Sequence, residues 1–423
     1  MKKEPKIVMI YLNNAATTLF KPPEVIKAAT ISALSVGRSA GFDATAEKLS
    51  ALREKLLKLT NARDHFVVLT PGCTFALNQA ILGLAARLPP CRILVTQAAH
   101  NAVLRPVYAL AKRRFPCAIN AADEFGRVTP TARSATKTSN QKTGNNAAPK
   151  PLYEAADNGF SYGVVPTDEF GRVTPEMLAP YLTPDVKIVV ISHMSNVTGG
   201  IDDIAAITKL LRSRGIYSIV DCAQSVGIIN VDLSNIDIAA FPFHKSLHAL
   251  SGIGAMIVRE GIEMEPLVYG GTGTLSADKD MPDFPPERYE AGTHNLPAIN
   301  AALAALDWLE KYEEEIRGNL DYIGKRIYNG LYDLYPKVKI LSCDNPGAIV
   351  TFVTTDADFD SAVFAQSLYD HGFVVRGGLH CAPLMHERLG TSLSGAVRVS
   401  PGIDTTETQI DSFLLTVKRL ISP

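Results

Sequence analysis

The sequence lacks the features that would place it in several large classes of protein. Cysteine is scarce: there are six among 423 residues, and none forms a C-x-x-C pair or a cysteine and histidine cluster with zinc spacing. These counts predict neither a disulfide framework nor a metal site. An excess of one charge is missing as well, because 42 basic residues stand against 43 acidic ones and the formal net charge is −1. The chain therefore has no electrostatic reason to bind nucleic acid.

Long apolar runs are absent too. No stretch of about 18 apolar residues occurs, which argues against a membrane-spanning helix. The first residues, MKKEPKIVMIYLNN, contain only a short apolar run that Asn13 and Asn14 interrupt. A secretory signal peptide needs a longer apolar region. We expect a cytoplasmic protein that has no membrane partner.

Strand-like and helix-like segments alternate between about residues 65 and 260. Six short apolar runs are predicted to be buried strands: HFVVL, RILVT, KIVVIS, YSIVD, IDIAAF and GAMIV. Near-continuous apolar strands are typical of a parallel sheet that is covered on both faces. Helical patterns such as DDIAAITKLLRSRG, which ends at Gly215, separate several of them. The alternation predicts an α/β fold with a mostly parallel, doubly wound sheet.

The length of the chain and a change in pattern after about residue 295 indicate a second domain. A long, charge-rich amphipathic segment comes first, and the strand-like runs AIVTFVT, FVVRG and AVRVS follow with two further helical segments. We predict a large α/β domain over residues 21–298. Residues 1–20 and 299–423 are predicted to form a smaller α+β domain.

One octapeptide, DEFGRVTP, occurs twice, at 123–130 and 168–175. The polar segment at about 131–150, between the copies, has few apolar residues, which predicts a flexible surface insertion. A solenoid would need more copies at a fixed period. We interpret the pair as a local duplication, and the insertion as either a docking loop or tolerated extra length.

Three segments carry side chains that suit one cofactor. YSIVDCAQSVG places Asp221 at the carboxyl end of a strand, where open α/β sheets bind ligands. FHKSL places Lys245 after the next strand, where a desolvated lysine can form an imine with an aldehyde. In TPGCTFALNQAILGLA, a glycine turn leads into a helix whose N-terminus, with Thr74, suits a phosphate. Each segment alone also fits an ordinary turn or a surface loop, but together they describe pyridoxal phosphate.

The chain resembles the class V aminotransferase-like, fold type I pyridoxal-phosphate enzymes. Within them it is similar to the cysteine desulfurase and selenocysteine lyase branch, of the SufS-like kind. The resemblance runs nearly end to end. It is carried, in order, by YLNNAATT (11–18), GCTFALNQAI (72–81), HNAVLRPV (100–107), SHMSNVTGGI (192–201), VDCAQSVG (220–227), FHKSL (243–247), GGTGT (270–274), RYEAGTHN (288–295), RGGLHCAPL (376–384) and VRVSPG (397–402).

The resemblance implies roles for the residues around the cofactor. Lys245 would bind its aldehyde, Asp221 would pair with its ring nitrogen, and Gln224 would bond its ring hydroxyl. His100 would stack on the ring and assist proton transfer. The phosphate would be held by the amides around Gly72 and Cys73, by Thr74, by His244 and by Thr272 of the partner subunit. A site that needs this threonine implies a homodimer.

The resemblance also implies a substrate and a reaction. Arg398 would bind the carboxylate of the substrate amino acid, as a bidentate guanidinium can, and Arg376 and Asn196 would assist, Asn196 touching the cofactor as well. Cys381 matches the family's sulfur-accepting cysteine. The implied enzyme is a cysteine desulfurase, a sulfurtransferase that converts L-cysteine to L-alanine and leaves a persulfide on Cys381. A sulfur-acceptor protein would receive the sulfur, usually for iron–sulfur cluster assembly.

The segment VVRGGLHCAP places two candidates beside Cys381 that could favour the reactive thiolate, Arg376 and His380. Gly377 and Gly378 are expected to give the loop freedom to move. The alternative for Cys381 is an inert, buried thiol, which is the usual state of a cysteine in a large intracellular chain.

Several positions depart from the family pattern. They are Asn13 for an aspartate, Phe75 for a glutamate, Ala99 for an acidic residue, Pro242 for a phosphate donor, Phe243 for a small residue and His294 for a proline. These differences keep other functions open. They are a selenocysteine lyase or another carbon–sulfur lyase, a true aminotransferase, and a protein that binds a partner without catalysis.

Overall fold

The computed structural model describes residues 9–35, 42–112, 154–155 and 159–422. The predicted insertion at about 131–150 and the first copy of the octapeptide lie outside the described residues. The strands are β1 (Ile10–Tyr11), β2 (His65–Thr70), β3 (Arg92–Thr96), β4 (Glu154–Ala155), β5 (Ser161–Val165), β6 (Val186–Ser192), β7 (Tyr217–Asp221), β8 (Ile238–Pro242), β9 (Gly254–Arg259), β10 (Val338–Ile340), β11 (Val350–Thr354), β12 (Phe373–Val374), β13 (Arg376–Gly378) and β14 (Ala396–Val399).

The helices are α1 (Pro23–Ser35), α2 (Phe42–Leu59), α3 (Cys73–Ala86), α4 (Asn101–Lys112), α5 (Pro175–Leu178), α6 (Ile204–Ser213), α7 (Leu296–Tyr332), α8 (Ser361–Asp370), α9 (Pro383–Leu389) and α10 (Glu407–Leu420). Short 3₁₀ turns cover Ala179–Tyr181 and Glu287–Tyr289. Among the helices described, none has the length and apolarity that crossing a membrane requires.

An eight-stranded sheet forms the centre of the larger part, in the order β2-β9-β8-β7-β6-β3-β5-β4. β5, β3, β6, β7 and β8 run parallel, and buried apolar side chains pack on both faces. All six predicted strands are present, which confirms the mostly parallel α/β fold.

β9 runs antiparallel to both β8 and β2, unlike its parallel neighbours. Only residues 243–253 connect β8 to β9, and they contain no helix. A parallel neighbour needs a crossover connection of about a dozen or more residues, usually a helix, whereas a short connection returns the chain in the opposite direction.

Side-chain caps explain where several helices begin. Asp203, Asn295 and Asp360 accept hydrogen bonds from the first-turn N–H groups of α6, α7 and α8. Thr406 and Gln409 form a reciprocal capping box at the start of α10. Each cap satisfies donors that a helix leaves unpaired at its N-terminus.

A four-stranded antiparallel sheet, in the order β10-β11-β14-β13, forms the smaller part. The predicted strand FVVRG divides into β12 and β13, because β12 pairs in parallel with β1 whereas β13 pairs with β14. Leu12 packs into the same core as β11 and β14. The N-terminal segment therefore packs with the C-terminal sheet.

α7 is shared by two hydrophobic cores. Its first half, from Ala298 to Leu320, packs against the large sheet, and its second half, from Ile323 to Leu331, packs against the small one. The boundary placed at residue 298 stays a prediction, because one continuous helix contributes to both cores.

Candidate active site

A cavity of about 520 Å³ opens where the parallel strands of the large sheet end and the small sheet approaches them. β7 ends at Asp221, and β8 ends two residues before His244, so both strands deliver side chains to this edge. The wall contains most of the predicted residues: Gly72, Cys73, Thr74, His100, Asn196, Asp221, Gln224, His244, Lys245, Arg376 and Arg398. Cys381 and Thr272 are not part of the wall, but the Cys381 sulfur contacts Arg376, which is.

Lys245 and Asp221 face the same cavity. Asp221 is buried, and its Oδ1 accepts a hydrogen bond from the Ala223 N–H at 3.0 Å. Burial lowers the pKa of the Lys245 amine, although the Asp221 carboxylate opposes this shift. A lysine that loses its proton more easily offers the neutral amine that attacks an aldehyde. Both side chains therefore suit the aldehyde and the ring nitrogen of pyridoxal phosphate.

The N-terminus of α3 suits a phosphate. Its cap residue is Gly72, which makes no side-chain capping bond, so the first N–H groups of the helix are left for an anion. The backbone of β9 passes close behind this turn, and a Cβ on Gly254 would lie 2.7 Å from the carbonyl carbon of Gly72. His244 Nδ1 is buried without a hydrogen-bond partner among the described residues. Phosphate oxygens would accept hydrogen bonds from the first N–H groups of α3 and from His244 Nδ1.

Cys73 occupies the first position of α3 and points towards the same carboxylate. Its Sγ lies 3.8 Å from Asp221 Oδ1. Burial and the neighbouring Asp221 charge raise the pKa of the Cys73 thiol well above its ordinary value. Cys73 is therefore a neutral thiol, unlike a reactive cysteine, which needs the thiolate form.

His100 and Gln224 are both oriented by backbone contacts. The Ala102 N–H donates to His100 Nδ1 at 3.0 Å, so the proton of the neutral ring is on Nε2. Burial lowers the pKa of His100, which favours this neutral form. Gln224 donates from Nε2 to the Ala15 carbonyl at 3.0 Å.

Arg376 and Arg398 form a pair of cations on adjacent strands, opposite each other in the register of β13 and β14. Arg398 is 2% exposed; it donates to the Asn196 carbonyl at 2.9 Å and to Asn13 Oδ1 at 3.2 Å. Burial, together with Arg376, lowers the pKa of Arg398 to about 9. Within the described parts of the chain, no carboxylate forms a salt bridge with either arginine. The pair therefore suits the carboxylate of a ligand.

The contact between Asn13 and Arg398 is a site feature that the sequence analysis missed. Asn13 stands where the family pattern has an aspartate, and its neutral amide leaves the guanidinium charge uncompensated. The two residues are 385 positions apart, so only the folded chain reveals the contact.

Several hydrogen bonds hold the Cys381 loop in place. Arg376 Nη2 lies 3.3 Å from Cys381 Sγ, the Cys381 carbonyl accepts from the Asn101 N–H at 2.7 Å, and the His380 carbonyl accepts from Asn196 Nδ2 at 2.8 Å. The ring of His380 contacts the Arg376 carbonyl and His386 rather than the sulfur. Burial lowers the pKa of His380 well below its ordinary value, so it carries no charge for the thiolate. Of the two predicted candidates, Arg376 is the one that contacts the thiol.

The remaining departures from the family pattern lie around the cavity. Phe75 and Pro242 belong to its wall, while Ala99 and Phe243 are buried in the core. His294 lies in an adjoining cavity of about 230 Å³, where its Nε2 is 3.4 Å from the buried Glu290 carboxylate.

The second copy of the octapeptide forms a turn followed by α5. Asp168 Oδ1 accepts from the N–H groups of Phe170 and Arg172, and Thr174 caps α5. The Val173 N–H donates to Asp202 at 2.8 Å, which ties this turn to the segment that carries Asn196.

Comparisons with known proteins agree with this geometry. The family model described as aminotransferase class-V matches residues 10–143 and 118–413. A probable cysteine desulfurase of Xylella fastidiosa (strain 9a5c) is 27% identical over 98% of this chain and 92% of its own. The cysteine desulfurase CsdA of Escherichia coli (strain K12) is also 27% identical, over 97% of this chain and 94% of its own.

Solved structures show the same fold. An apo structure of a cysteine desulfurase from Thermococcus onnurineus NA1 superposes with a TM-score of 0.76 at 23% identity. The match covers 98% of this chain and 94% of that one. The chain therefore has the fold of the fold type I pyridoxal-phosphate-dependent transferases.

Proposed function

The chain belongs to the aminotransferase class-V family, and on that premise we propose that it is a pyridoxal-phosphate-dependent cysteine desulfurase. One observation carries the proposal: the Cys381 thiol lies against Arg376, which lines the cavity that Lys245 and Asp221 share. An aminotransferase would not need a thiol at this place. The relatives named cysteine desulfurase support the same activity.

Bound pyridoxal phosphate supplies an electron sink for the bonds at the substrate's α-carbon. Lys245 would hold its aldehyde, and Asp221 would keep its ring nitrogen protonated. The N-terminus of α3, Thr74 and His244 would hold its phosphate. His100, with its proton on Nε2, would lie over the ring and move protons there.

The substrate would be oriented through its carboxylate. Arg398 is held by Asn13 and by the Asn196 carbonyl, so its guanidinium is fixed before the substrate arrives. A fixed bidentate partner gives both energy and orientation to a carboxylate. With the carboxylate bound there, the thiol of L-cysteine would lie on the side of the cavity where Arg376 and Cys381 meet.

Cys381 would take the sulfur as a thiolate. A bond forms between Cys381 Sγ and the substrate sulfur while the carbon–sulfur bond of the substrate breaks. The electron pair of the broken bond stays with the carbon, and a proton completes L-alanine. Cys381 is oxidised to a persulfide as the carbon is reduced, and an acceptor thiol then removes the terminal sulfur. Arg376 stabilises the negative charge on the attacking sulfur.

The test is alanine release from L-cysteine in the presence of a thiol reductant. We expect the wild type to form alanine, and Cys381→Ser to form at least about 100-fold less, because the nucleophile is lost. Cys343→Ser is the matched control, since Cys343 is another partly buried cysteine that lies outside the cavity wall. Equal alanine release by Cys381→Ser and the wild type would overturn the mechanism. No alanine from the wild type would overturn the assignment and make selenocysteine the next substrate.

We propose three further properties of the enzyme. The enzyme is a homodimer, because Thr272 lies on a segment outside the cavity wall with the exposed apolar residues Val268, Tyr269 and Leu275. It works in the cytoplasm, and a sulfur-acceptor protein takes its sulfur for iron–sulfur cluster assembly. A monomeric mass in sedimentation equilibrium at micromolar concentration would contradict the first of these. Absence of sulfur-35 transfer to proteins of a cytosolic extract would contradict the other two.

A further inference from the structure

A chain of hydrogen bonds runs behind the Cys381 loop. Thr391 Oγ1 lies 2.8 Å from His386 Nδ1, and His386 Nε2 lies 3.1 Å from His380 Nδ1. His380 Nε2 then lies 3.1 Å from the Arg376 carbonyl. The two histidines are 0% and 3% exposed, so both rings are buried. These hydrogen bonds thus connect the end of α9 to Arg376, the residue that contacts the Cys381 sulfur.

The direction of this hydrogen-bond network follows from the Arg376 carbonyl, which can only accept, and from the neutral state of the two rings. The Arg376 carbonyl accepts a hydrogen bond from His380 Nε2–H, so in a neutral His380 ring Nδ1 accepts from His386 Nε2–H. His386 Nδ1 then accepts from the Thr391 hydroxyl. When both rings are neutral, this arrangement satisfies every polar atom of both rings. Burial lowers the pKa of His386 to about 4 and that of His380 well below its ordinary value, in agreement with this arrangement.

The backbone at Cys381 needs such support. His380 has φ 50° and Cys381 has φ 58°, so two successive residues with side chains adopt the left-handed conformation. Such residues pay a steric penalty and persist only where the surrounding structure holds them. The His380 carbonyl is held by Asn196 and the Cys381 carbonyl by the Asn101 N–H, both from the large part of the molecule. On the opposite side, the side chain of His380 is held by His386.

We infer that His386 is a positioning residue for sulfur transfer. It fixes the His380 ring, which fixes the left-handed backbone and keeps Cys381 Sγ against Arg376. His386 does not line the cavity, and within the part of the chain that the structure describes its ring hydrogen-bonds with His380 and Thr391 rather than with a predicted cofactor or substrate residue. Its loss therefore slows the step that Cys381 performs and leaves the binding of L-cysteine unchanged. The inference deepens the proposed function and rests on it for the identity of that step.

The experiment compares holoenzyme variants in two assays. His386→Leu removes the donor to His380, and His386→Gln restores a donor near the position of Nε2. Thr391→Val removes the hydroxyl that hydrogen-bonds to His386 Nδ1. His371→Leu is the control, because His371 is an exposed histidine at the end of α8. One assay is alanine release, separated into kcat and KM. The other is the rate at which iodoacetamide alkylates the Cys381 thiol, followed by mass spectrometry of its peptide.

We expect His386→Leu to lower kcat and the alkylation rate of Cys381 by about tenfold, the factor that the loss of one net hydrogen bond produces, with KM unchanged. The substrate-induced change in cofactor absorbance persists. His386→Gln recovers most of both rates, and Thr391→Val shows a smaller loss in the same direction. The control behaves as the wild type does.

Wild-type kcat and alkylation in both His386→Leu and Thr391→Val would overturn the inference. So would a parallel loss of the absorbance change, since His386 would then support the whole site rather than the loop. Alkylation needs no turnover, so it tests the inference even if the wild type forms no alanine. Only the alanine assay with Cys381→Ser bears on the proposed function itself.

Discussion

Arg398 carries a charge that the described residues leave without a carboxylate partner. A buried cation costs several kcal/mol in desolvation unless it is paired. Its pKa, lowered to about 9, still lies above neutrality, so the charge persists at pH 7. Asn13 and the Asn196 carbonyl stabilise the guanidinium only as neutral acceptors. We propose that the substrate brings the missing anion.

Replacing each arginine of the pair by lysine should separate binding from sulfur transfer. In Arg398→Lys, a bidentate contact with the carboxylate is lost, and KM should rise by about 10- to 100-fold with a smaller effect on kcat. In Arg376→Lys, kcat should fall more than KM rises, because this guanidinium contacts Cys381. Steady-state kinetics with L-cysteine measures both. Exposed Arg63 supplies the control Arg63→Lys. The assignment fails if Arg398→Lys lowers kcat and leaves KM unchanged.

At this scale, local motifs predict residue positions well and side-chain partners poorly. Asp221 ends one buried strand and Lys245 follows the next, so the sequence predicts that both lie at one edge of the sheet. The orientation of the His380 ring depends on His386, and the partner of Asn13 lies at the other end of the chain. Such contacts arise from tertiary packing, which a single sequence does not encode in any local pattern.

At the scale of elements, apolar runs predict where strands lie but not which way they run. GAMIV has the same apolar character as its parallel neighbours because both of its faces are covered, yet β9 is antiparallel. FVVRG reads as one strand, but its two ends pair with different sheets. Strand direction and pairing depend on the length of connections and on partners elsewhere in the chain.

Two glycines of α7 provide a matched pair for testing its packing. A Cβ on Gly324 would lie 2.9 Å from the Cβ of Ala348, whereas a Cβ on Gly318 meets nothing within 4 Å. Gly318→Ala should stabilise the protein by ~1 kcal/mol through helix propensity. Gly324→Ala gains the same propensity but overpacks a closed contact, which costs about 1–3 kcal/mol. It should therefore be less stable than Gly318→Ala by that amount.

Urea unfolding of both variants beside the wild type measures this difference. Equal stabilisation by the two substitutions would show that α7 does not pack closely on the segment that carries Ala348. The comparison bears on the whole architecture, since Gly324 lies in the half of α7 that packs against the small sheet.

At the scale of the whole molecule, burying the site between two sheets also buries many titratable side chains. His193, His248, His380 and His386 are all at most 4% exposed, and desolvation lowers the pKa of each, to about 4 for His193, His248 and His386. Asp202 and Glu290 are buried too, and desolvation raises their pKa values to about 8 and about 7. Both sets favour their neutral forms in the folded state, and they affect stability in opposite directions.

The free energy of unfolding should therefore pass through a maximum near pH 6.5. Below about pH 6.5 the unfolded chain protonates its histidines and the folded one does not, so stability falls with decreasing pH by ~1.4 kcal/mol per pH unit for each proton. The two carboxyls offset part of this fall, because between about pH 4 and 7 the folded state holds their protons. Between about pH 6.5 and 8 the two carboxyls dominate, and stability falls as pH rises because the folded state still holds protons that the unfolded chain has lost.

Urea unfolding from pH 4.5 to 9 measures the curve, and Asp202→Asn tests its alkaline side. The asparagine retains an acceptor for the Val173 N–H but has no proton to lose, so the decline above pH 7 should become shallower than in the wild type. The matched control is Asp280→Asn, which changes an exposed aspartate and should leave the shape of the curve as it is. If the free energy of unfolding of Asp202→Asn declined above pH 7 as steeply as that of the wild type, the pKa of this carboxyl in the folded protein would be close to its ordinary value. The turn that joins the second octapeptide to the Asn196 segment would then rest on a carboxylate rather than on a protonated acid.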